Sequence, residues 1–186
     1  MSQHRPLTRA TGTLLGLALR SAARRRTDTN PANILASARA VMSGRTYCTL
    51  ITSGEQGPSA RVVEPLGPDA DLALRVGTST TSRKARQAAS SHSALLAYES
   101  HRDRAGVIAH CTADLISDRA LCWQWFSPTW RAFWPAGPDD KDFMLIRCFP
   151  HLLEVWDVRR GVTPEPFGLR SARIQRDGDT WVPAHE

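Results

Sequence analysis

A mainly β fold, a β-barrel with flanking helices, is the class this 186-residue sequence predicts. Between Thr46 and Thr78, short runs rich in β-branched residues alternate with turn residues, which is the texture of a β-meander. Three further strand patterns follow at Ala94 to Glu99, Val107 to Ile116 and Phe143 to Val158, while helical periodicity is confined to short segments. Six or so strands with few helices favour a barrel over a doubly wound sheet. The length suits one domain, and no internal repeat is visible.

The elements follow in chain order. Residues 1–29 form a basic arm, disordered or helical, that ends in the polar break Thr27-Asp28-Thr29-Asn30-Pro31. Asn30 caps a helix with Pro31 in its first turn, Ile34, Leu35, Ala38, Val41 and Met42 recur at helical spacing, and Gly44 stops it. Strand patterns then run over Thr46 to Thr52, Ala60 to Pro65 and Leu72 to Thr78, broken by Gly54 to Pro58 and Gly67 to Asp69. Ser82 to Ser91 is polar with helical propensity. The turn-like His101 to Gly106 separates two strands, and Ser117 is placed to cap a helix from Asp118 to Phe126. Pro128, Pro135 and Pro138 punctuate the next stretch, and the strand from Phe143 to Val158 is expected to bend at Pro150. The expected division is an arm over 1–29, a barrel over 30–158 and an extension over 159–186 packed on the barrel or on a partner subunit.

Composition narrows the function classes. With 41% hydrophobic and 23% charged residues the chain has a core's worth of apolar side chains. The net charge of +6 is local: six of the 24 basic residues (Arg5, Arg9, Arg20, Arg24, Arg25 and Arg26) precede Asp28, and the remaining 18 equal the 18 acidic ones. A balanced body offers no extended basic face, so nucleic acid is not an expected partner. No apolar run approaches the roughly 20 residues of a membrane span, and Arg20 interrupts the short run Leu14 to Leu19, so neither membrane nor secretion signal is expected. Cys48, Cys111, Cys122 and Cys148 form no C-x-x-C pair and the six histidines have no zinc-site spacing, which favours free, buried thiols in the cytoplasm and no metal.

The richest chemistry lies in Thr78-Ser79-Thr80-Thr81-Ser82-Arg83-Lys84-Ala85-Arg86-Gln87, where a strand gives way to a helix. Hydroxyls of Thr78, Thr81 and Ser82, free N–H groups of the helix start, and the charges of Arg83 and Lys84 are three kinds of anion ligand in one turn. A phosphate would suit them; a simple helix cap with solvated cations is the plainer account. Upstream, Arg61 stands alone in the apolar strand Ser59 to Pro65 and needs an anionic partner, either the same phosphate or a cross-strand carboxylate.

Arg61-Val62-Val63, followed by Gly77-Thr78 and Ser82-Arg83-Lys84-Ala85 at this spacing, resembles the FMN-binding signature of the pyridoxamine 5′-phosphate oxidase-like family, whose fold is an FMN-binding split β-barrel. Cys111-Thr112-Ala113-Asp114 is similar to that family's strand before a helix. Phe133 to Asp140, followed by Glu154-Val155-Trp156-Asp157, resembles its general stress protein branch. The likeness runs from about Pro31 to Val158. It implies that Arg61, Arg83 and Lys84 hold the FMN phosphate with Ser82 and Thr78, beside Gly77, and that the backbone of Val62 and Val63 lies along the flavin ring. It further implies a homodimer with the cofactor between subunits, and an oxidoreductase moving hydride or electrons between a nicotinamide donor and a small acceptor. A non-catalytic, stress-associated flavin-binding protein is the alternative, and relatives that take a deazaflavin or haem keep those cofactors open. Departures are also plain. A strand position that contributes a glutamine to the cofactor in the vitamin B6 oxidases falls near Gly106, the family's usual small glycine falls at Cys111, and the C-terminal stretch does not match those oxidases' substrate-binding segment, so that activity is not expected.

Other residues are weighed for chemistry. The aromatics Trp123, Trp125, Phe126, Trp130, Phe133 and Trp134 suit core and interface packing more than a flavin wall. Asp139 and Asp140 suit turn initiation, and His110 suits a hydrogen-bonded structural role rather than a general acid. No catalytic acid or base is assigned.

Overall fold

The computed structural model describes residues 13–18, 21, 28–164 and 168–184. Residues 13–18 and 21 are helical, and the rest of the basic arm before Asp28 lies outside the described residues. Helix α1, Pro31–Ser43, starts as its sequence dictates: Asn30 accepts a hydrogen bond from the Ala32 N–H, and Pro31 occupies the first turn. Its Ile34, Ala38, Val41 and Met42 are buried.

Among the described residues nine antiparallel strands make one sheet: β1 (Cys48–Gly54), β2 (Gly57–Val63), β3 (Pro65–Leu66), β4 (Leu74–Ser79), β5 (Ser93–Ser100), β6 (Ala105–Ile116), β7 (Phe143–Asp157), β8 (Ala172–Asp177) and β9 (Thr180–Pro183). The path is β2-β1-β5-β6-β7-β4-β3, with the β8–β9 hairpin branching from β7. One edge of β7 pairs with β6. The other pairs with β4 over residues 143–148 and with β8 over residues 152–155. The sheet therefore curls and divides rather than closing into a continuous barrel. The predicted bend in β7 is present as a register shift: His110 faces Leu152 while Cys111 faces Pro150, leaving His151 as the extra residue of a bulge.

Alternation sends one set of side chains inward. Leu50, Leu96, Val107, Leu153 and Ile174 are fully buried there with the apolar face of α1, and Ala88 of helix α2 (Arg83–Ser91) joins them. Ser37 of α1 donates to buried Asp157 at 2.6 Å, and Arg160 neutralises that carboxylate at 2.8 Å. A second, smaller core forms outside the β4–β7 pair. Helix α3, Arg119–Gln124, and the 3₁₀ turn Pro128–Ala132 bring Cys122 and Trp130 onto Phe143 and Leu145. Phe126 and Trp134 meet Phe143 edge-on at 5.1 and 5.0 Å.

Differences from the sequence reading are local. Asp118, not Ser117, caps α3, accepting from the Leu121 N–H at 3.0 Å, and the helix ends before Trp125. The extension after residue 159 carries the β8–β9 hairpin, which turns at Gly178-Asp179 and has Ala172 and Ile174 buried against β7. Among the described residues no helix is long and apolar enough to cross a membrane.

Candidate functional site

Strand β4 delivers Thr78 and Ser79 to a short turn, and α2 begins at Arg83. Ser82 has extended backbone (φ −66°, ψ 149°), and its hydroxyl accepts from the Ala85 N–H at 3.1 Å. The buried Thr78 hydroxyl lies 2.7 Å from that of Ser82, so the two form a linked pair at the mouth of the helix. The turn is tied from outside. Asp142 Oδ1 accepts from the hydroxyls of Ser79 and Thr80, both at 2.7 Å, and the Asp142 carbonyl accepts from the Thr80 N–H. Those hydrogen bonds hold the Asp142 carboxyl below its ordinary range. Arg86 donates to the Thr81 carbonyl and is thereby occupied.

Arg61 arrives from β2. It sits opposite Leu50 of β1 on the inward face, and its guanidinium donates to Thr52 Oγ1 at 2.6 Å and to Gln87 Oε1 at 3.0 Å. No carboxylate lies within ion-pair distance of Arg61, Arg83 or Lys84 among the described residues. The cross-strand salt bridge open to Arg61 from sequence is therefore not formed there. Burial lowers the Arg61 pKa and nearby Arg83 lowers it further; burial likewise lowers that of Lys84, followed by the charge of Arg61. Three cations close enough to repel one another near the start of α2 form an arrangement that an anion carrying more than one charge would neutralise.

Beside them opens a cleft of about 460 Å³, lined by Val62, Val63, Gly77 and Lys84 together with Tyr47, Glu64, Val76, Trp130, Phe133 and Trp134. Its size and apolar walls suit a flat ligand of cofactor dimensions. Phe133 is 74% exposed, Val62 71% and Tyr47 61%, so three large side chains stand uncovered at one opening. Gly77 has a specific reason to be glycine: a Cβ there would meet the Trp130 ring at 2.9 Å, so the indole packs directly on the strand backbone to form the cleft wall.

The eight residues singled out from sequence thus fall into two adjoining groups. Thr78, Ser82, Arg83 and Lys84 stand at the α2 N-terminus with Arg61 held against Gln87 one turn further along, and Val62, Val63 and Gly77, with Lys84 shared, line the cleft. Sequence reasoning missed Tyr47, Glu64 and Gln87. The first two lay inside the predicted strands Thr46 to Thr52 and Ala60 to Pro65 but fall just outside the observed β1 and β2, and Gln87 carried no charge to mark it. The aromatic set divides: Trp130 and Trp134 serve the second core and the cleft at once, Phe133 faces the cleft, and Trp125 stacks on Arg75 at 3.9 Å. Asp139 accepts from Trp123 Nε1 at 2.9 Å, and Asp140 accepts from the Asp142 N–H. His110 contacts Glu154 at 2.9 Å and does not line the cleft. All four cysteines are free and buried, and no metal-binding cluster of His, Cys, Asp or Glu occurs among the described residues.

Comparison with known proteins places these features. The model of the family described as pyridoxamine 5′-phosphate oxidase like matches residues 38–178. A protein related to general stress protein 26, of the pyridoxinephosphate oxidase family, from Clostridium acetobutylicum has a similar structure: TM-score 0.65 and 16% identity, covering 79% of this chain and 97% of that one. A pyridoxamine 5′-phosphate oxidase-related, FMN binding protein from Nostoc punctiforme is 23% identical with TM-score 0.58, over 81% of this chain and 91% of that one. PhzG of Burkholderia lata, in complex with tetrahydrophenazine-1-carboxylic acid, is 20% identical with TM-score 0.56, over 94% of this chain and 90% of that one. At these identities the likeness speaks for the fold. No curated protein sequence matches the chain.

Proposed function

Because this chain belongs to the pyridoxamine 5′-phosphate oxidase-like family, we propose that it binds FMN and works as an oxidoreductase, moving hydride or electrons between a nicotinamide donor and a small acceptor. One observation carries the reading: Arg61, Arg83 and Lys84 converge near the start of α2 with no carboxylate partner among the described residues, at the edge of an aromatic-walled cleft of about 460 Å³. A flavin phosphate is a dianion joined to a large flat ring, and the two halves of the site match its two halves.

In this reading Arg61, Arg83 and Lys84 bind the phosphate, with Thr78, Ser82 and the first N–H groups of α2 as neutral donors. The Val62–Val63 backbone and the side chains of Val76, Trp130 and Trp134 hold the ring and exclude water. The bound flavin supplies reversible two-electron chemistry, which the side chains alone lack. No residue of the cleft needs to donate a proton for that transfer; positioning and dryness are the protein's contributions.

A cytoplasmic homodimer belongs to the same reading. Outward positions of adjacent strands, among them Ile51, Val62, Leu95, Ala97, Ile108 and Leu152, form a partly exposed apolar sheet face beside the cleft, and both α1 and α2 pack on the inward side. A second copy would cover that face and close the cleft over Val62.

The test is the visible spectrum of freshly purified protein, followed by acid release and chromatography of whatever is bound. FMN at about one per chain, the count for one phosphate cradle per subunit, supports the reading. Bleaching by a nicotinamide donor and recovery with an acceptor separates the enzyme from a flavin-binding stress protein. A colourless protein that also refuses added FMN refutes it and moves attention to deazaflavin and haem.

A further inference from the structure

Gln87 is not a member of the cation set, yet among the described residues the hydrogen bonds that orient Arg61 run to it and to Thr52. Thr52, 1% exposed, has one hydroxyl proton and gives it to Gln87 Oε1 at 2.7 Å, which leaves its lone pairs for Arg61 Nη1 at 2.6 Å. Arg61 Nη2 donates to the same Gln87 oxygen at 3.0 Å. An arginine only donates, so the amide must present its oxygen to Arg61, and its nitrogen turns toward Ser59 Oγ, 3.5 Å away. The fit is tight: a Cβ on Gly54 would lie 3.0 Å from Gln87 Nε2 and 3.1 Å from Cγ, so glycine at the end of β1 makes room for this side chain. Gln87 lies one turn after Lys84 on α2, so it fixes Arg61 of β2 to the same helix that carries the other two cations.

We infer that Gln87, with Thr52, is the positioning residue that holds Arg61 through neutral partners only, so that its full charge is kept for the ligand's phosphate and FMN is selected over riboflavin. This rests on the flavin reading above. A carboxylate at the same point would hold the guanidinium as well or better, but it would cancel the charge. Geometry and electrostatics are thereby separable at one position.

Gln87→Glu is the decisive variant. Its expected properties are unchanged or higher thermal stability without ligand, FMN affinity reduced by about tenfold or more, equivalent to roughly 1.4 kcal/mol, and unchanged riboflavin affinity. Gln87→Met keeps length but removes the acceptor, and is expected to weaken FMN less than Gln87→Glu while again sparing riboflavin. Gly54→Ala, which crowds the amide, should behave like Gln87→Met. FMN binding equal to wild type in Gln87→Glu, or parallel losses for FMN and riboflavin, overturns the inference and leaves the flavin reading standing. Inorganic pyrophosphate provides an arm without flavin. If wild type takes no FMN but pyrophosphate raises its melting temperature and fails to do so for Gln87→Glu, the flavin reading falls and the role of Gln87 stands. If neither FMN nor pyrophosphate acts on wild type, both fall.

Discussion

Replacing Lys84 by alanine isolates the electrostatics of the cradle. The ammonium is half-buried, shares the α2 N-terminus with Arg83, feels the charge of Arg61, and has no acidic partner among the described residues. In the free protein it is a net electrostatic burden, so its removal should leave stability unchanged or raise it slightly. With a phosphate bound the sign reverses. A hydrogen bond to a charged group contributes about 1.5–3 kcal/mol net, so losing one near 2 kcal/mol weakens FMN binding by roughly 30-fold. Riboflavin, which has the ring and no phosphate, should bind the variant and wild type alike. Fluorescence titration with both flavins, together with thermal unfolding of the free proteins, reads all three quantities. Equal losses for the two flavins would mean that Lys84 shapes the cleft rather than binding phosphate. A strong fall in ligand-free stability would refute the claim that it is unneutralised. The pH dependence has a defined sign: the folded state lowers the Lys84 pKa from its ordinary 10.5, so between the folded and unfolded values the unfolded chain holds more protons. The penalty from Lys84 is therefore present in full below the folded pKa and relieved as pH rises through it. Wild type should gain stability relative to Lys84→Ala across that alkaline window, and bound FMN should abolish the difference.

Three further outcomes are expected. Burial works to raise the Asp69 pKa, but hydrogen bonds from Arg75 at 2.6 Å and from the Ala73 and Asp71 N–H groups outweigh it and hold the carboxyl below its ordinary 3.8. Its contribution to stability is present above 3.8 and lost as pH falls through the lower folded value, so Asp69→Asn should cost about 2–3 kcal/mol at neutral pH and blunt the acid transition, measured by urea unfolding. Gly77→Ala should displace the Trp130 ring, cost about 1–3 kcal/mol, and weaken binding of both flavins; a shift confined to stability would separate the wall from the site. Burial pushes the thiol pKa up to about 11 at Cys48 and about 12 at Cys148, and upward at Cys111 and Cys122, so an aromatic disulfide reagent should label none of the four at pH 8 until the chain unfolds.

Much of this architecture was legible because alternation and caps are local signals. Asn30 and Ser82 announce the two main helices through a side-chain oxygen placed before a run of good helix formers, and both cap as read. The long strand was visible in fifteen residues with one proline, and its bulge falls next to that proline. The β8–β9 hairpin was not legible: Ala172-Arg173-Ile174-Gln175-Arg176 offers only two apolar residues to bury, and only pairing with β7 makes it a strand. The cradle's basic residues were readable from charge and spacing. What they touch was not. That Arg61 meets Gln87 rather than a carboxylate, and that Trp130 packs on Gly77, depend on contacts 26 and 53 residues apart in sequence, which no periodicity encodes.

The tie between Asp142 and the turn before α2 has a consequence for how the protein is made. Arg61, Arg83 and Lys84 all leave the ribosome long before Asp142, yet the turn that aims them is fastened to that residue, and β4 has β7 as its main neighbour in the sheet. A nascent chain stopped before Asp142 carries every charge of the cradle and none of its fastening, with the exposed β4 edge open to other chains. On the proposed FMN reading, cofactor capture would therefore be a late step of synthesis, and a flavin supplied early should not rescue a chain truncated ahead of β7.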